Sequence, residues 1–252
     1  MVNSRWSICI SRLTKRIIIP MKAYNNILLN IENEVLTITV NRPDKLNALN
    51  HETIQEIGDA VKTAEKDSGL AAIVITGAGA KSFVAGADIA EFSNYSVEEG
   101  KKLSADGHKV FKSIEDCTKP VIAAVNGLAF GGGFELALAA DLIIAADTAE
   151  FALTEVTLGI MADSGGVLRL PKRIPLPIAM ELLMTARRLS PDEAARWGLV
   201  NKVVPKDEVM AEARGLAATI AANAPLALKA IKSVIKATLP LDVKDGYRLM
   251  RS

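Results

Sequence analysis

The segment from Val121 to Leu170 constrains the fold more than any other part of this chain. It begins after Pro120 with the β-branched run Val121–Val125, which predicts a fully buried strand. A turn follows that ends in three glycines, Gly131–Gly133, and the apolar stretch Phe134–Ala140 comes directly after them. The sequence therefore predicts a strand, a glycine turn and a helix in immediate succession.

The glycine turn and two glutamates suit a reaction in which an oxygen atom becomes negative. Backbone N–H groups at the start of a helix have no intrahelical acceptor, and the helix dipole adds partial positive charge there. Glu135 follows Gly132 by three residues, so its carboxylate lies about one turn from that N–H. Glu155 lies downstream in a mostly apolar stretch. Taken singly, Glu135 is a dipole-stabilising surface charge, the glycines form a tight turn and Glu155 is an exposed acid, so only their combination indicates a site.

Three segments in this order, Ala85–Asp88, Gly131–Glu135 and Glu155–Gly159, resemble the crotonase superfamily, whose typical member is enoyl-CoA hydratase. The resemblance extends from about Asn25 to the C-terminus. Within it, residues 163–172 and 196–201 look most like the carnitinyl-CoA (crotonobetainyl-CoA) dehydratase branch. The resemblance implies an α/β fold, a crotonase-like spiral of strand-strand-helix units with a C-terminal helical region, although the sequence shows no internal repeat.

The resemblance also implies roles for particular residues. The backbone N–H groups of Ala87 and Gly132 correspond to the oxyanion hole, the residue matching Glu135 acts mainly on water, and the residue matching Glu155 transfers a proton at the α carbon. A further group corresponds to the path of the CoA nucleotide and pantetheine: Lys45, Leu46, Ala85, Asp88 and Ile89.

The implied reaction is reversible addition of water to a trans-2-enoyl-CoA, which gives a 3-hydroxyacyl-CoA. Coenzyme A is part of the substrate, so we expect no separate cofactor, and we expect no metal because the oxyanion donors replace a Lewis acid. Two alternatives stay open: an isomerase that uses mainly Glu155, and a non-catalytic relative that binds RNA or protein. The lysines of the 101–112 helix favour a solvated helix face over an RNA-binding comb.

Asp163 has two interpretations. Ordinary hydratases tend to have a small residue here, whereas the carnitinyl branch has the acid. The carboxylate either caps the helix that starts at Ser164-Gly165-Gly166 or faces a cationic acyl group in the substrate pocket, and capping is the favoured interpretation.

Charge and composition exclude several functional classes. Lys and Arg total 30 against 29 Asp and Glu, so no global field attracts nucleic acid or an acidic membrane. No run approaches the about 20 apolar residues needed to span a bilayer. Cys9 and Cys117 belong to no metal or redox motif, which favours two reduced thiols. We therefore expect a cytoplasmic small-molecule enzyme. The family resemblance implies that it binds an acyl-CoA thioester and assembles as a homotrimer or a dimer of trimers.

Three regions are predicted along the chain. Residues 1–20 form a basic N-terminal extension outside the fold, either a transit peptide or an upstream extension. Residues 21–200 form the core domain with the CoA and catalytic sites. Residues 201–252 form a helical region for oligomerisation that is shorter than in the resembling branch. Its predicted helices span 207–222, 225–238 and 243–250, and earlier helices are predicted after an Asn50 cap and after a Ser190–Glu193 capping box.

Overall fold

A computed structural model describes residues 22–92 and 96–239, and within them nine strands form two sheets. In chain order the strands are β1 (Ile27–Glu32), β2 (Val35–Val40), β3 (Ala72–Gly77), β4 (Ser82–Val84), β5 (Val121–Val125), β6 (Leu128–Phe130), β7 (Leu142–Ala146), β8 (Glu150–Ala152) and β9 (Lys202–Val204). The larger sheet has the order β1-β2-β3-β5-β7-β9, and within it only β1 and β2 pair antiparallel. The predicted buried strand at Val121–Val125 is confirmed as β5.

The smaller sheet, β4-β6-β8, is parallel, and each of its strands directly follows a strand of the larger sheet. The chain passes from β3 to β4, from β5 to β6 and from β7 to β8, and helical residues follow each pair. This is the predicted spiral of strand-strand-helix units. The segments approach each other closely at two glycines. A Cβ on Gly127 would lie only 2.4 Å from the Lys81 carbonyl oxygen, and a Cβ on Gly133 would lie 2.0 Å from the Val84 carbonyl oxygen.

Nine α-helices occur in the described part of the chain. They are α1 (His51–Lys66), α2 (Ile89–Phe92), α3 (Val97–Asp116), α4 (Gly132–Ala139), α5 (Gly166–Arg173), α6 (Leu176–Thr185), α7 (Pro191–Arg196), α8 (Val209–Ala221) and α9 (Pro225–Thr238). Short 3₁₀ helices span Pro43–Lys45, Glu155–Leu158 and Lys206–Glu208. No single described helix is long and apolar enough to cross a membrane; only the pair Lys206–Ala221 and Pro225–Thr238, bent by 104°, reaches that length and composition together.

The helix caps test the local predictions. Asn50 caps α1 as predicted, because its Oδ1 accepts the N–H of Thr53 at 2.9 Å. At α7 the predicted capping box is only half present. Ser190 Oγ accepts the N–H of Glu193, but the Glu193 carboxylate accepts instead from the guanidinium of Arg187, at 2.8 and 3.0 Å. A fully charged partner outcompetes a neutral backbone N–H for this carboxylate.

The core lies between the larger sheet and the helices packed on it. Helix α4 is buried from Gly133 to Ala139, and α8 packs across β2, β3, β5 and β7. Helix α9 differs, since none of its residues is buried and Ile231 and Ile235 are more than half exposed. The predicted extension 1–20 and the predicted last helix, 243–250, lie outside the described residues.

Candidate active site

The two residues predicted to supply the oxyanion donors both lie next to Leu49. Leu49 forms a parallel bridge with Ala87, in which the Leu49 N–H donates to the Gly86 carbonyl at 2.8 Å and the Asp88 N–H donates to the Leu49 carbonyl at 2.9 Å. In such a bridge the middle residue directs its own N–H away from the partner strand, so the Ala87 N–H faces the other way. Gly132 is the first residue of α4, and a Cβ there would lie 3.6 Å from Leu49 Cδ1. Its N–H has no intrahelical acceptor.

Glu135 is held in the interior of the protein. Its side chain extends from α4 with the residue only 2% exposed, and its Oε1 accepts the N–H of Gly166 at 2.8 Å, the first N–H of α5. Burial raises the pKa of Glu135 to about 8, and the nearby carboxylates of Glu155 and Asp163 act in the same direction. The Gly166 N–H opposes this rise only in part. The carboxyl group therefore keeps its proton to a higher pH than a solvent-exposed glutamate does.

Glu155 begins the 3₁₀ turn Glu155–Leu158 and faces a small apolar cavity. The cavity has a volume of about 170 Å³ and is lined by Glu155 with side chains that include Leu153, Ile160, Met161 and Leu183. Glu155 Oε2 is buried, and none of the described residues offers it a hydrogen bond. Burial raises the pKa of Glu155, and the charge of Asp163 adds to the rise.

The glycine turn connects the two acids. Glu155 Oε1 lies 3.0 Å from the position that a Cβ on Gly131 would occupy, and the Glu135 N–H donates to the Gly131 carbonyl at 3.0 Å. Gly131 has φ +48°, a conformation that favours glycine. The structure thus brings together both predicted acids and the turn that carries the Gly132 N–H.

The favoured interpretation of Asp163 as a helix cap is wrong. The N-cap of α5 is Gly165, and it has no side-chain hydrogen bond, because the Gly166 N–H is taken by Glu135. The Asp163 carboxylate instead accepts the Ser104 hydroxyl at 2.6 Å, and its carbonyl lies 2.6 Å from His108 Nε2. A carbonyl only accepts, so His108 is the donor. Asp163 is exposed, lies near the two acids and is hydrogen-bonded to Ser104 and His108 of α3.

The predicted CoA-binding residues lie in two adjacent segments. The Ala85 N–H donates to the Leu46 carbonyl at 3.1 Å, which brings Lys45 and Leu46 beside the segment that leads to Ile89. Lys45, Leu46 and Ile89 are exposed, and Leu46 has φ +50°. The Asp88 carboxylate forms a salt bridge with Arg42 at 2.8 Å. Its negative charge is thereby compensated, which removes an obstacle to an anionic ligand nearby.

Sequence reasoning missed the contacts that arrange this site. It assigned no role to the Gly166 N–H on Glu135, to Arg169, which donates to the Ser164 carbonyl at 2.8 Å, or to Asn126. Asn126 gave a usable signal, since an asparagine directly after an all-apolar strand is expected to need buried partners. Among the described residues, no three His, Cys, Asp or Glu side chains are grouped so that they would hold a metal ion.

The arrangement combines two carboxyl groups of raised pKa, two backbone N–H donors and an apolar cavity. This combination suits proton transfer at two neighbouring atoms next to a carbonyl oxygen that becomes negative. A family model described as enoyl-CoA hydratase/isomerase matches residues 30–250 of the chain. The chain belongs to this family.

Individual relatives and a solved structure show which members of the family this chain is similar to. The carnitinyl-CoA dehydratase of Proteus mirabilis is 49% identical over 228 residues, which cover 89% of this chain and 85% of the relative. That of Salmonella typhi is 49% identical over 222 residues, covering 86% and 83%. Among solved structures, the enoyl-CoA hydratase of Bacillus anthracis superposes with a TM-score of 0.87 at 36% identity and covers 90% of this chain and 88% of its own.

Proposed function

We propose that this protein is a hydro-lyase that adds water reversibly to a trans-2-enoyl-CoA and gives a 3-hydroxyacyl-CoA. The observation that carries the proposal is the meeting of the buried carboxyl group of Glu135 and the partly buried carboxyl group of Glu155 at the glycine turn that begins α4. The relatives named as carnitinyl-CoA dehydratases and enoyl-CoA hydratases support the same reaction class.

The proposed oxyanion hole consists of the backbone N–H groups of Ala87 and Gly132. Addition or loss of water places negative charge on the thioester oxygen, and two fixed donors stabilise that charge more in the transition state than in the substrate. Loss of one such donor typically costs about 3 to 4 kcal/mol of barrier.

The two acids divide the proton transfers. Glu135 acts at the β-oxygen, as water or leaving hydroxyl, and Glu155 acts at the α carbon. Their raised pKa values and mutual repulsion favour a pair that shares one proton near neutral pH. With the proton on Glu135 the pair is ready for dehydration: Glu155 removes the α proton while Glu135 protonates the departing hydroxyl. Hydration uses the opposite arrangement of the same single proton.

We further propose a specialised acyl group, crotonobetainyl-CoA, on the strength of Asp163 and the carnitinyl-CoA dehydratase relatives. The exposed Asp163 carboxylate stands next to both acids and offers a negative charge to a trimethylammonium group. The predicted CoA residues Lys45, Leu46 and Ile89 remain proposals for the nucleotide and pantetheine path.

The first experiment follows the loss of conjugated enoyl-thioester absorbance with crotonyl-CoA and with crotonobetainyl-CoA. We expect Glu135→Gln and Glu155→Gln each to lower kcat about 1,000-fold. The control is Glu56→Gln, since Glu56 is a buried glutamate on α1 whose oxygens accept the N–H groups of Asn25 and Asn26 away from the site.

The outcomes separate the candidate functions. Full activity in either glutamate variant would overturn the two-acid mechanism. Retention of double-bond isomerisation by Glu135→Gln would favour an isomerase that uses Glu155 alone. Equal kcat/KM for the two substrates would remove the crotonobetainyl specialisation without touching the hydratase reaction.

We also propose a cytoplasmic homotrimer or dimer of trimers. Ile160, Met161, Leu168 and Met184 are each about 60% exposed around the 3₁₀ turn of Glu155 and helices α5 and α6. Large apolar side chains exposed on neighbouring elements favour a protein–protein interface. Light scattering on the full chain measures the mass of the assembly, and a monomer at micromolar concentration would contradict this assignment.

A further inference from the structure

Asn126 is a buried polar side chain to which the proposed reaction assigns no role. It lies directly after β5, is 9% exposed, and opens the loop that leads to Gly132. Its Nδ2 donates to the carbonyls of Gly77 and Gly79, both at 3.0 Å, and its Oδ1 accepts the Gly77 N–H at 3.3 Å. The Thr76 hydroxyl also donates to Oδ1, at 3.4 Å, so all four hydrogen bonds of the side chain reach the end of β3 or the segment that leads from it to Ala87.

Asn126 lies where the backbone pairing of β3 and β5 has ended, so a side chain is needed to link the two segments there. Strands β3 and β5 pair in parallel from Ile73 opposite Val121 to Thr76 opposite Ala124. Beyond that point the segments that follow β3 and β5 leave the larger sheet and enter the smaller one. The Asn126 amide presents a donor and an acceptor in place of the backbone and so continues the pairing past the last strand residues.

The smaller sheet pairs the two segments over a short stretch. Strands β4 and β6 share only the pairs Ser82–Leu128 and Val84–Ala129, with a shift of register between them. Two further hydrogen bonds join the same segments, because the Leu128 N–H donates to the Lys81 carbonyl at 3.2 Å and the Ser82 hydroxyl donates to the Leu128 carbonyl at 3.1 Å. The Asn126 contacts add a tie at the start of both segments and so help to hold Ala87 relative to Gly132.

We propose that Asn126 is a positioning residue that sets the spacing of the Ala87 and Gly132 N–H groups. This inference rests on the proposed role of those two groups as the oxyanion hole. It assigns to Asn126 no contact with substrate, since its polar atoms are occupied by Thr76, Gly77 and Gly79. A misplacement of about 1 Å in such a site costs about 100-fold in rate, so the effect belongs in kcat.

The test uses 4-dimethylaminocinnamoyl-CoA, a conjugated thioester whose absorption band moves to longer wavelength when its carbonyl oxygen accepts strong hydrogen bonds. Asn126→Asp keeps the shape of the side chain and removes both donated hydrogen bonds. Asn201→Asp is the matched control, because Asn201 Oδ1 accepts the Ile143 N–H at 2.8 Å near the opposite end of the parallel strands.

We expect a red shift for the parent and for Asn201→Asp, and loss of most of that shift for Asn126→Asp. We also expect kcat with crotonyl-CoA to fall about 10- to 100-fold for Asn126→Asp while KM changes less than about threefold. A residue that only stabilised the fold would lower the melting temperature and leave the band position and kcat of the folded protein unchanged.

The outcomes distinguish this inference from the function on which it rests. If bound parent protein gives no red shift, the oxyanion hole itself fails. If the parent shifts and Asn126→Asp keeps both the shift and the parent kcat, only the role of Asn126 is overturned. If Asn126→Asp does not fold, Asn126→Gln and Asn126→Ser are measured in the same way, and a parent-like shift and kcat in either variant also overturn the role.

Discussion

The two acids of the candidate site occupy contrasting environments. Glu135 lies on α4, a helix buried from Gly133 to Ala139, and its carboxyl group is fixed by the Gly166 N–H. Glu155 begins a 3₁₀ turn with no fully buried residue, and its Oε2 has no hydrogen-bond partner among the described residues. The carboxyl group of Glu135 is thus held in the protein interior, whereas that of Glu155 lies at the edge of an open cavity. The contrast suits an acid that acts on a small water molecule and one that faces a larger acyl chain.

The largest effect that tests this contrast is the stability of Glu135→Gln. The folded-state pKa of Glu135, about 8, is above its unfolded value of 4.5. Below pH 4.5 Glu135 is protonated in both states, so its ionisation does not lower the free energy of unfolding. As pH rises from 4.5 to about 8 the free energy of unfolding falls, and the loss is complete once pH has passed about 8. We expect Glu135→Gln to gain about 2 to 4 kcal/mol relative to the parent between pH 5 and pH 8.

Denaturant unfolding at several pH values measures that gain. Glu155→Gln is the comparison, and we expect a smaller gain for it because Glu155 is less buried. Equal pH dependence of the two variants would break the contrast between an interior acid and an acid at the cavity edge.

The next effect concerns the turn that joins the two acids. Gly131→Ala places a methyl group 3.0 Å from Glu155 Oε1 at a residue with φ +48°. We expect kcat to fall about 100-fold, which corresponds to about 2.7 kcal/mol of barrier. Gly159→Ala is the control, because Gly159 also has positive φ but nothing lies within 4 Å of its added Cβ. Similar losses for both variants would mean that backbone strain, and not contact with Glu155, is responsible.

The pH dependence of kcat gives a smaller effect. Above about pH 8 we expect kcat to fall about tenfold per pH unit, because the pair of Glu135 and Glu155 loses the single proton that it must share. The measurement is kcat for hydration of crotonyl-CoA from pH 6 to 10, with thermal unfolding as a check that the fold persists. A flat profile to pH 10 would show that the pair does not titrate in this range.

The smallest effect is expected at Ser104, which lies on α3 and is not one of the two proposed proton carriers. Ser104→Ala removes the hydrogen bond of 2.6 Å to the Asp163 carboxylate. We expect a loss of about threefold to tenfold in kcat/KM for crotonobetainyl-CoA, the net effect of one ordinary hydrogen bond, and little change for crotonyl-CoA. A loss of the same size for both substrates would place Asp163 in general positioning of the site and not in selection of the acyl group.

Local sequence patterns predicted the elements of the site because their causes lie within a few residues. The all-apolar run of β5, the three glycines and the apolar α4 specify strand, turn and helix without reference to the rest of the chain. The Asn50 cap is equally local, since its partner is Thr53. The order of motifs then indicated the family, and the family model that matches residues 30–250 agrees.

The sequence by itself determined the residue types, their order and the turns that present them. Only the tertiary structure decided which groups meet: Gly166 with Glu135, 31 residues apart, and Asn126 with Gly77, 49 residues apart. Asp163 illustrates the difference, because its local pattern indicated a cap, whereas packing of α3 offered the hydroxyl of Ser104 and left the helix N–H to Glu135. A buried polar group takes the partner that the packed chain brings within reach, and sequence neighbours alone do not reveal that partner.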